Sequence, residues 1–296
     1  MRVYSPSQTA TFMENPVNRR LQYIEKWRPR QIGKKELSAI LGGAVGAGLA
    51  EYNRTRRDNP GRLDARELFA EVASKYAKAE LARYQAQGFT FYERELPTVG
   101  RLPERAAKGV LKYIAQDPVP PSWEILSVEE TRKAHGWART DLTTRSPQGL
   151  TVIDYKTKLT LKEDYREKTL SEYRNAWAML HYAWAESEVH GEHVPVYYIA
   201  LIILEPQFTI LFDPTFIAPE VMQMWRISAR RVWAVMEACD TGSSEPIARV
   251  IEETGGLEWH TFKFVNQFGA DPYASAILVH KLDERLMERD YVRIGK

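Results

Sequence analysis

The chain contains a single cysteine, Cys239, among 296 residues. One thiol excludes an internal disulfide framework, a cysteine-ligated zinc site and an iron–sulfur cluster. It also fits a reducing compartment. Long apolar runs are missing too: the longest, Val194–Leu204, is too short to span a bilayer and reads as a buried strand. No basic-then-apolar segment opens the sequence, so a soluble cytoplasmic protein with no membrane contact is expected. There is almost no excess of charge, since 41 Lys and Arg against 39 Asp and Glu leave +2. Any contact with nucleic acid must therefore come from a local patch. Repeats, low-complexity tracts, a phosphate loop, a nucleophile elbow and zinc-ligand spacing are all lacking.

What is present is an ordinary globular composition, 44% hydrophobic and 27% charged, on a chain long enough to bury a full core. Ser5 or Ser7 can cap a first short helix, and Pro16 suits the start of a second carrying Leu21, Ile24 and Trp27, ended by Pro29. Helices are expected over 36–57, 65–87 and 102–115. The glycines at 42, 43, 46 and 48 mark close helix packing, because no strand precedes them and the dinucleotide-loop pattern is incomplete. Pro118, Pro120 and Pro121 then separate this helical part from a strand over 124–131. Beyond lie a helix over 171–188, strands over 194–204 and 208–212, and an amphipathic helix over 220–238. On the helix over 171–188, Tyr173, Trp177, Leu180 and Trp184 form an apolar stripe expected to face the core. The sequence after Asp240 is poorly readable.

The informative stretch is Gly136–Lys158, GWARTDLTTRSPQGLTVIDYKTK, which has the form of a β-hairpin. Pro147 suits the second place of a type I turn and Gly149 the fourth. A turn centred between Pro147 and Gln148 pairs positions that sum to 295, which sets Asp141 opposite Asp154 and Arg139 opposite Lys156. Alternation along the second strand puts Val152, Asp154 and Lys156 on one face. Facing carboxylates repel unless a cation sits between them, and oxygen ligands suit magnesium or manganese. A metal beside an ammonium is equipment for activating water next to a phosphate. The spacing alone also fits a solvated strand face with a weak surface ion pair. Asp154-x-Lys156 is the only Asp/Glu-x-Lys in the chain. His190-Gly-Glu-His193 reads as a polar turn rather than a metal site, and His260 and His280 are isolated.

The runs Ala-Arg-Thr-Asp-Leu and Val-Ile-Asp-Tyr-Lys-Thr resemble the PD-(D/E)XK nuclease superfamily, in its RecB-like exonuclease branch. The opening SPSQTATFMENPVNRRLQYIEKWRP and the HYAWA segment at 181–185 are similar to that branch's N-terminal helix and to its helix after the catalytic hairpin. The resemblance implies an α/β fold: a restriction-endonuclease-like core with a mixed central sheet flanked by helices and a helical N-terminal part. On this reading residues 1–121 form the helical part, 122–242 the nuclease core and 243–296 an extension packed on it, one domain overall.

The same resemblance implies that Asp141 and Asp154 ligate magnesium or manganese, that the Tyr155 carbonyl completes the shell, and that Lys156 orients water or stabilises charge on phosphorus. Glu130 (or Glu129), on the preceding strand, stands where a further acidic residue approaches the metal. Tyr182 would lie near the DNA backbone, with Arg139, Arg19 and Arg20 as further contacts. Arg19 and Arg20 belong to a basic stretch, Asn18–Lys35, in which seven cations face only Glu25. Two positions depart from the family pattern: Gly46 stands where many members have a metal-binding histidine, and Ala178 where they have a glutamine. No cysteines stand at the cluster positions, so the chain resembles a cluster-free member. The implied activity is a DNA nuclease, more readily an exonuclease, in recombination, repair or viral DNA processing, in host cytoplasm if viral. DNA and a recombination or helicase protein are the implied partners. The alternative is a nuclease-fold module that binds DNA or a protein without cutting.

Overall fold

The computed structural model describes residues 2–14, 19–29, 37–88, 90–254, 265–266, 269–270 and 291–293. In chain order the elements are α1 (Pro6–Glu14), β1 (Trp27–Pro29), α2 (Leu37–Asp58), α3 (Arg66–Ala86), α4 (Leu96–Val99) and α5 (Leu102–Gln116). Then come β2 (Glu124–Arg132), β3 (Ala138–Ser146), β4 (Gly149–Thr160), α6 (Arg166–Arg174), α7 (Trp177–His190), β5 (Val196–Glu205) and β6 (Thr209–Phe216). The chain closes with α8 (Pro219–Thr241), α9 (Glu245–Thr254) and the short strands β7 (Val265–Asn266), β8 (Gly269–Ala270) and β9 (Tyr291–Arg293). Two compact units result: residues 33–131 with 139–219, and residues 1–32 with 132–138 and 220–296.

The larger unit is built on a five-stranded sheet in the order β2-β3-β4-β5-β6. β3 and β4 pair antiparallel, β4 and β5 parallel, β5 and β6 antiparallel. The sheet is thus mixed, and its parallel pair needs a crossover, which α6 and α7 supply. Alternation assigns the two faces. Leu142, Ile153 and Ala200 pack with Ala50, Val119 and Trp123, while Ile202 and Leu204 join the core formed by α2, α3 and α5. The opposite parity of β4, Val152, Asp154 and Lys156, belongs to the side covered by α6 and α7.

Close packing explains two of the four α2 glycines. A Cβ on Gly48 would meet the Phe69 carbonyl oxygen at 2.9 Å and Val110 Cγ2 at 2.7 Å, and one on Gly43 would meet Tyr76 Oη at 2.9 Å. Gly42 and Gly46 have open space instead, so packing does not account for them.

In the smaller unit, α1 and α8 are tied by the Trp233 indole N–H, which donates to Thr9 Oγ1 at 3.1 Å. Tyr4 donates to Asp240 at 2.9 Å, and Arg19 grips both oxygens of the same carboxylate.

Several expectations from the sequence are corrected. The helix expected over 171–188 is two helices, because Ala176 is extended (ψ 132°) and Asn175 turns its amide onto the Ser171 carbonyl at 2.8 Å. Its apolar stripe is half-buried rather than core; Met179, His181, Ala183, Ala185 and Glu186 are the buried residues of α7. Trp27 lies in a strand, not in a helix, since Lys26 adopts a left-handed backbone (φ 59°) that turns the chain out of the preceding π-type turn. The residue expected to start that helix, Pro16, lies outside the described residues, as do His260 and His280. The strand expected to stop at Phe212 continues to Phe216, and its Pro214 is tolerated because β6 is an edge strand.

Candidate active site

The hairpin between β3 and β4 sets the site. Ser146 pairs with Gly149, leaving Pro147 and Gln148 as a two-residue loop, and Gly149 supplies the positive φ of 109° that closes it. Ser146 Oγ accepts the Gln148 N–H at 3.1 Å and pins the turn. The ladder then runs in steps that sum to 295 as far as Leu142 and Ile153. One step further lie Asp141 and Asp154. There a side chain replaces the main chain: the Tyr155 N–H donates to Asp141 Oδ2 at 2.7 Å.

Asp154 is buried, and Lys156, two residues on, reaches its Oδ2 with Nζ at 2.5 Å. Burial and the negative charge of Asp154 push the Asp141 carboxyl up to about 7; Lys156 and the Tyr155 N–H pull the other way and do not prevail. For Lys156 the balance is reversed. Burial opposes its charge, but Asp154 and then Asp141 hold the ammonium above the ordinary lysine range. The group is therefore cationic at any pH at which the protein works. Two acids share one cation, and the site is short of positive charge.

Three aromatic side chains surround the ammonium and the carboxylates. Lys156 Nζ lies 5.8 Å from the centre of the Tyr173 ring, which comes from the end of α6. Tyr197 on β5 is buried, and its hydroxyl is pushed well up by burial, then by Asp154 and Asp141. Tyr182 on α7 is raised by burial first and by Asp154 second. Tyr173 is expected from the sequence to face the core, and Tyr197 is not singled out there at all. Tyr197 hides in the apolar run 194–204; the parallel register that pairs Val152 with Tyr197 sets it beside Asp154, and no local pattern gives that register.

Of the two glutamates on β2, Glu129 acts on Asp141, and its own backbone is left-handed (φ 53°). Glu130 instead acts on Arg57 of α2. Glu129 also holds Arg139, at 3.0 Å, with the arginine 62% exposed. Arg139 leans toward β2. Behind the site, Glu186 of α7 is fully buried, accepts from Thr140 Oγ1 at 3.0 Å and lies 3.3 Å from His190. This places β3 firmly on α7. His193 bonds the Ile217 carbonyl at 2.7 Å, so the His190–His193 segment is a structural turn.

Arg19 belongs to the smaller unit. It is buried, with its guanidinium committed to Asp240 and stacked 4.7 Å over Tyr4, which removes it as a phosphate contact. Arg20 is exposed at 69% of its side chain and paired with Glu25 at 2.6 Å. The basic stretch from Arg30 to Lys35 lies outside the described residues.

Among the described residues no three His, Cys, Asp or Glu converge as a metal cage. Asp141 and Asp154 offer oxygen donors only, and the charge deficit at Asp141 is what a divalent cation would relieve. These oxygen donors fit a hard divalent cation. Cys239 is exposed and alone.

The family model of the PD-(D/E)XK nuclease superfamily matches residues 3–243. The chain belongs to this superfamily. No curated protein matches it. Among PD-(D/E)XK nucleases the activity is phosphodiester cleavage, the substrate DNA and the usual cofactor a divalent metal. No described helix of this superfamily member is long and apolar enough to cross a membrane.

Proposed function

We propose that the chain is a magnesium- or manganese-dependent deoxyribonuclease of the RecB-like branch, an exonuclease working in recombination, repair or viral DNA processing. The observation that carries this reading is the pair Asp141 and Asp154 with Lys156 at 2.5 Å from the second carboxylate. Asp141, Asp154 and the Tyr155 carbonyl would hold the cation, which supplies acidification of a water and grip on a phosphate oxygen. Lys156, kept protonated by its neighbours, would orient the attacking water and offset the charge that grows on phosphorus. Tyr173 and Tyr197 hold Lys156 and Asp154 in place. Tyr182 faces the same charges and is suited to a backbone phosphate. Glu129 adds negative charge beside Asp141 and strengthens the demand for a cation.

The test is direct. Purified protein is incubated with end-labelled linear DNA and with a closed circle of the same sequence, in manganese. Loss of the linear substrate with the circle intact supports an exonuclease; EDTA and Lys156→Ala each abolish it. Cutting of the circle replaces the exonuclease reading with an endonuclease one.

A second reading has its own support: Gly46 and Ala178 lack the ligating and hydrogen-bonding groups common in the family, and among the described residues no third His, Cys, Asp or Glu completes a metal cage with the pair. On that reading the chain binds DNA, or a recombination or helicase protein, and does not cut. DNA binding with no cleavage in any divalent metal selects it.

A further inference from the structure

A second charged concavity lies in the larger unit, at the end of β4 and β5 remote from the hairpin turn. Arg105, Lys108 and Lys112 recur at i, i+3 and i+7 along α5, which puts them on one face. With Thr160, Glu205 and Phe208 they line a cavity of about 350 Å³. Its charge is unbalanced, three cations against one carboxylate. Arg105 Nε pairs with Glu205 at 2.9 Å, while its Nη1 is buried with no hydrogen-bond partner among the described residues. Lys112 Nζ lies 5.4 Å over the Phe208 ring, and Lys108 is exposed. Three cations around one carboxylate suit an anion with several oxygens.

β4 joins this cavity to the candidate active site. Lys156, Lys158 and Thr160 alternate along the same strand, and the four steps from Lys156 to Thr160 span about 13 Å at roughly 3.3 Å per residue. α5 packs on the other face of the sheet, so a DNA backbone leaving the reacting phosphate along β4 reaches the α5 cations round the strand end at Thr160, which lines the cavity. We propose that the Arg105–Lys108–Lys112 cavity is a DNA backbone site that holds the substrate strand beyond the point of cutting; this rests on the nuclease reading above. Glu205 works against it, as the one carboxylate in the cavity.

Binding of a fluorescein-labelled DNA hairpin with a single-stranded tail is measured by anisotropy in EDTA, so that nothing is cut, across 50–200 mM salt. The triple variant Arg105→Gln, Lys108→Gln, Lys112→Gln is expected to bind at least tenfold more weakly. Its slope of log affinity against log salt should flatten by up to about 0.9 for each cation removed. Lys108→Glu, at an exposed position that the fold does not need, weakens binding severalfold, and Glu205→Gln tightens it. Equal affinity and slope in wild type and triple variant overturn the proposal even if the protein cleaves DNA. Failure of the wild type to bind DNA overturns it as well. A protein that binds through these cations and yet never cuts keeps this site and loses the nuclease reading.

Discussion

Asp141 Oδ2 accepts the main-chain N–H of Tyr155 at 2.7 Å, across the turn that joins β3 to β4. This bond locks Asp141 beside Asp154 whether or not a cation is present, so the repulsion between them is built into the fold. Asparagine at 141 keeps an oxygen for the Tyr155 N–H and removes the charge. Asp141→Asn is therefore expected to raise metal-free stability by roughly 1–3 kcal/mol, a melting temperature higher by several degrees. Asp154→Asn differs, because it strips Lys156 of its partner at 2.5 Å. That variant is expected to gain nothing, or to fall. Thermal melts in EDTA separate the two. A rise for Asp154→Asn equal to that for Asp141→Asn would mean that the Lys156 contact is of no consequence.

The raised carboxyl of Asp141 has a pH signature with a definite sign. Its pKa in the folded chain, about 7, exceeds the ordinary carboxylate value of 3.8, so the folded state holds a proton that the unfolded chain has released. The stability this contributes is complete below pH 3.8 and is lost as pH rises through about 7. Metal binding runs the other way. Below pH 7 a cation must displace the proton, so magnesium affinity is expected to rise close to tenfold per pH unit up to about 7 and then to level off. Titration calorimetry in two buffers of different ionisation enthalpy checks this, since about one proton should be released per metal at pH 6 and none at pH 8.

The hairpin was legible because its rules are local. Pro147 and Gly149 fix the turn, the turn fixes the register, and the register fixes which acids meet. Asp154-x-Lys156 follows from alternation alone. What escaped the sequence is non-local. Tyr197 reaches Asp154 only through the parallel pairing of β4 with β5, two elements separated by both helices of the crossover. Tyr173 approaches Lys156 because α6 ends at Asn175, a break that apolar periodicity ran straight through. Arg19 read as a surface cation for the same reason: its partner Asp240 lies 221 residues away. Of the two candidate glutamates, Glu129 turns toward Asp141 on a left-handed backbone that strand alternation does not anticipate.

The α2 glycines give a stability test independent of catalysis. Gly46 is mid-helix with nothing near its absent Cβ, so Gly46→Ala is expected to stabilise by about 0.5–1 kcal/mol through helix propensity. Gly48→Ala forces a methyl against the Phe69 carbonyl and Val110 and is expected to destabilise by about 1–3 kcal/mol. Urea denaturation of both variants checks the sign.

Removal of Lys156 tests both halves of the site at once. Its ammonium lies 2.5 Å from Asp154 Oδ2, and it also lowers the cost of ionising Asp141. Lys156→Ala is expected to reduce cleavage by about 10²–10³-fold or more, the range seen when a preorganised charge is taken from a reacting centre. A purely catalytic lysine would leave the resting fold alone. Here the two carboxylates would be left facing each other without a counter-charge, so metal-free melting should drop while the stabilisation by added magnesium grows. Lys156→Arg keeps the charge and should restore the metal-free melting temperature without restoring the cleavage rate, because a planar fork does not take the position of a compact ammonium. Melting curves of both variants, with and without magnesium, decide the matter: an unchanged metal increment in Lys156→Ala would show that this lysine does not screen the acids.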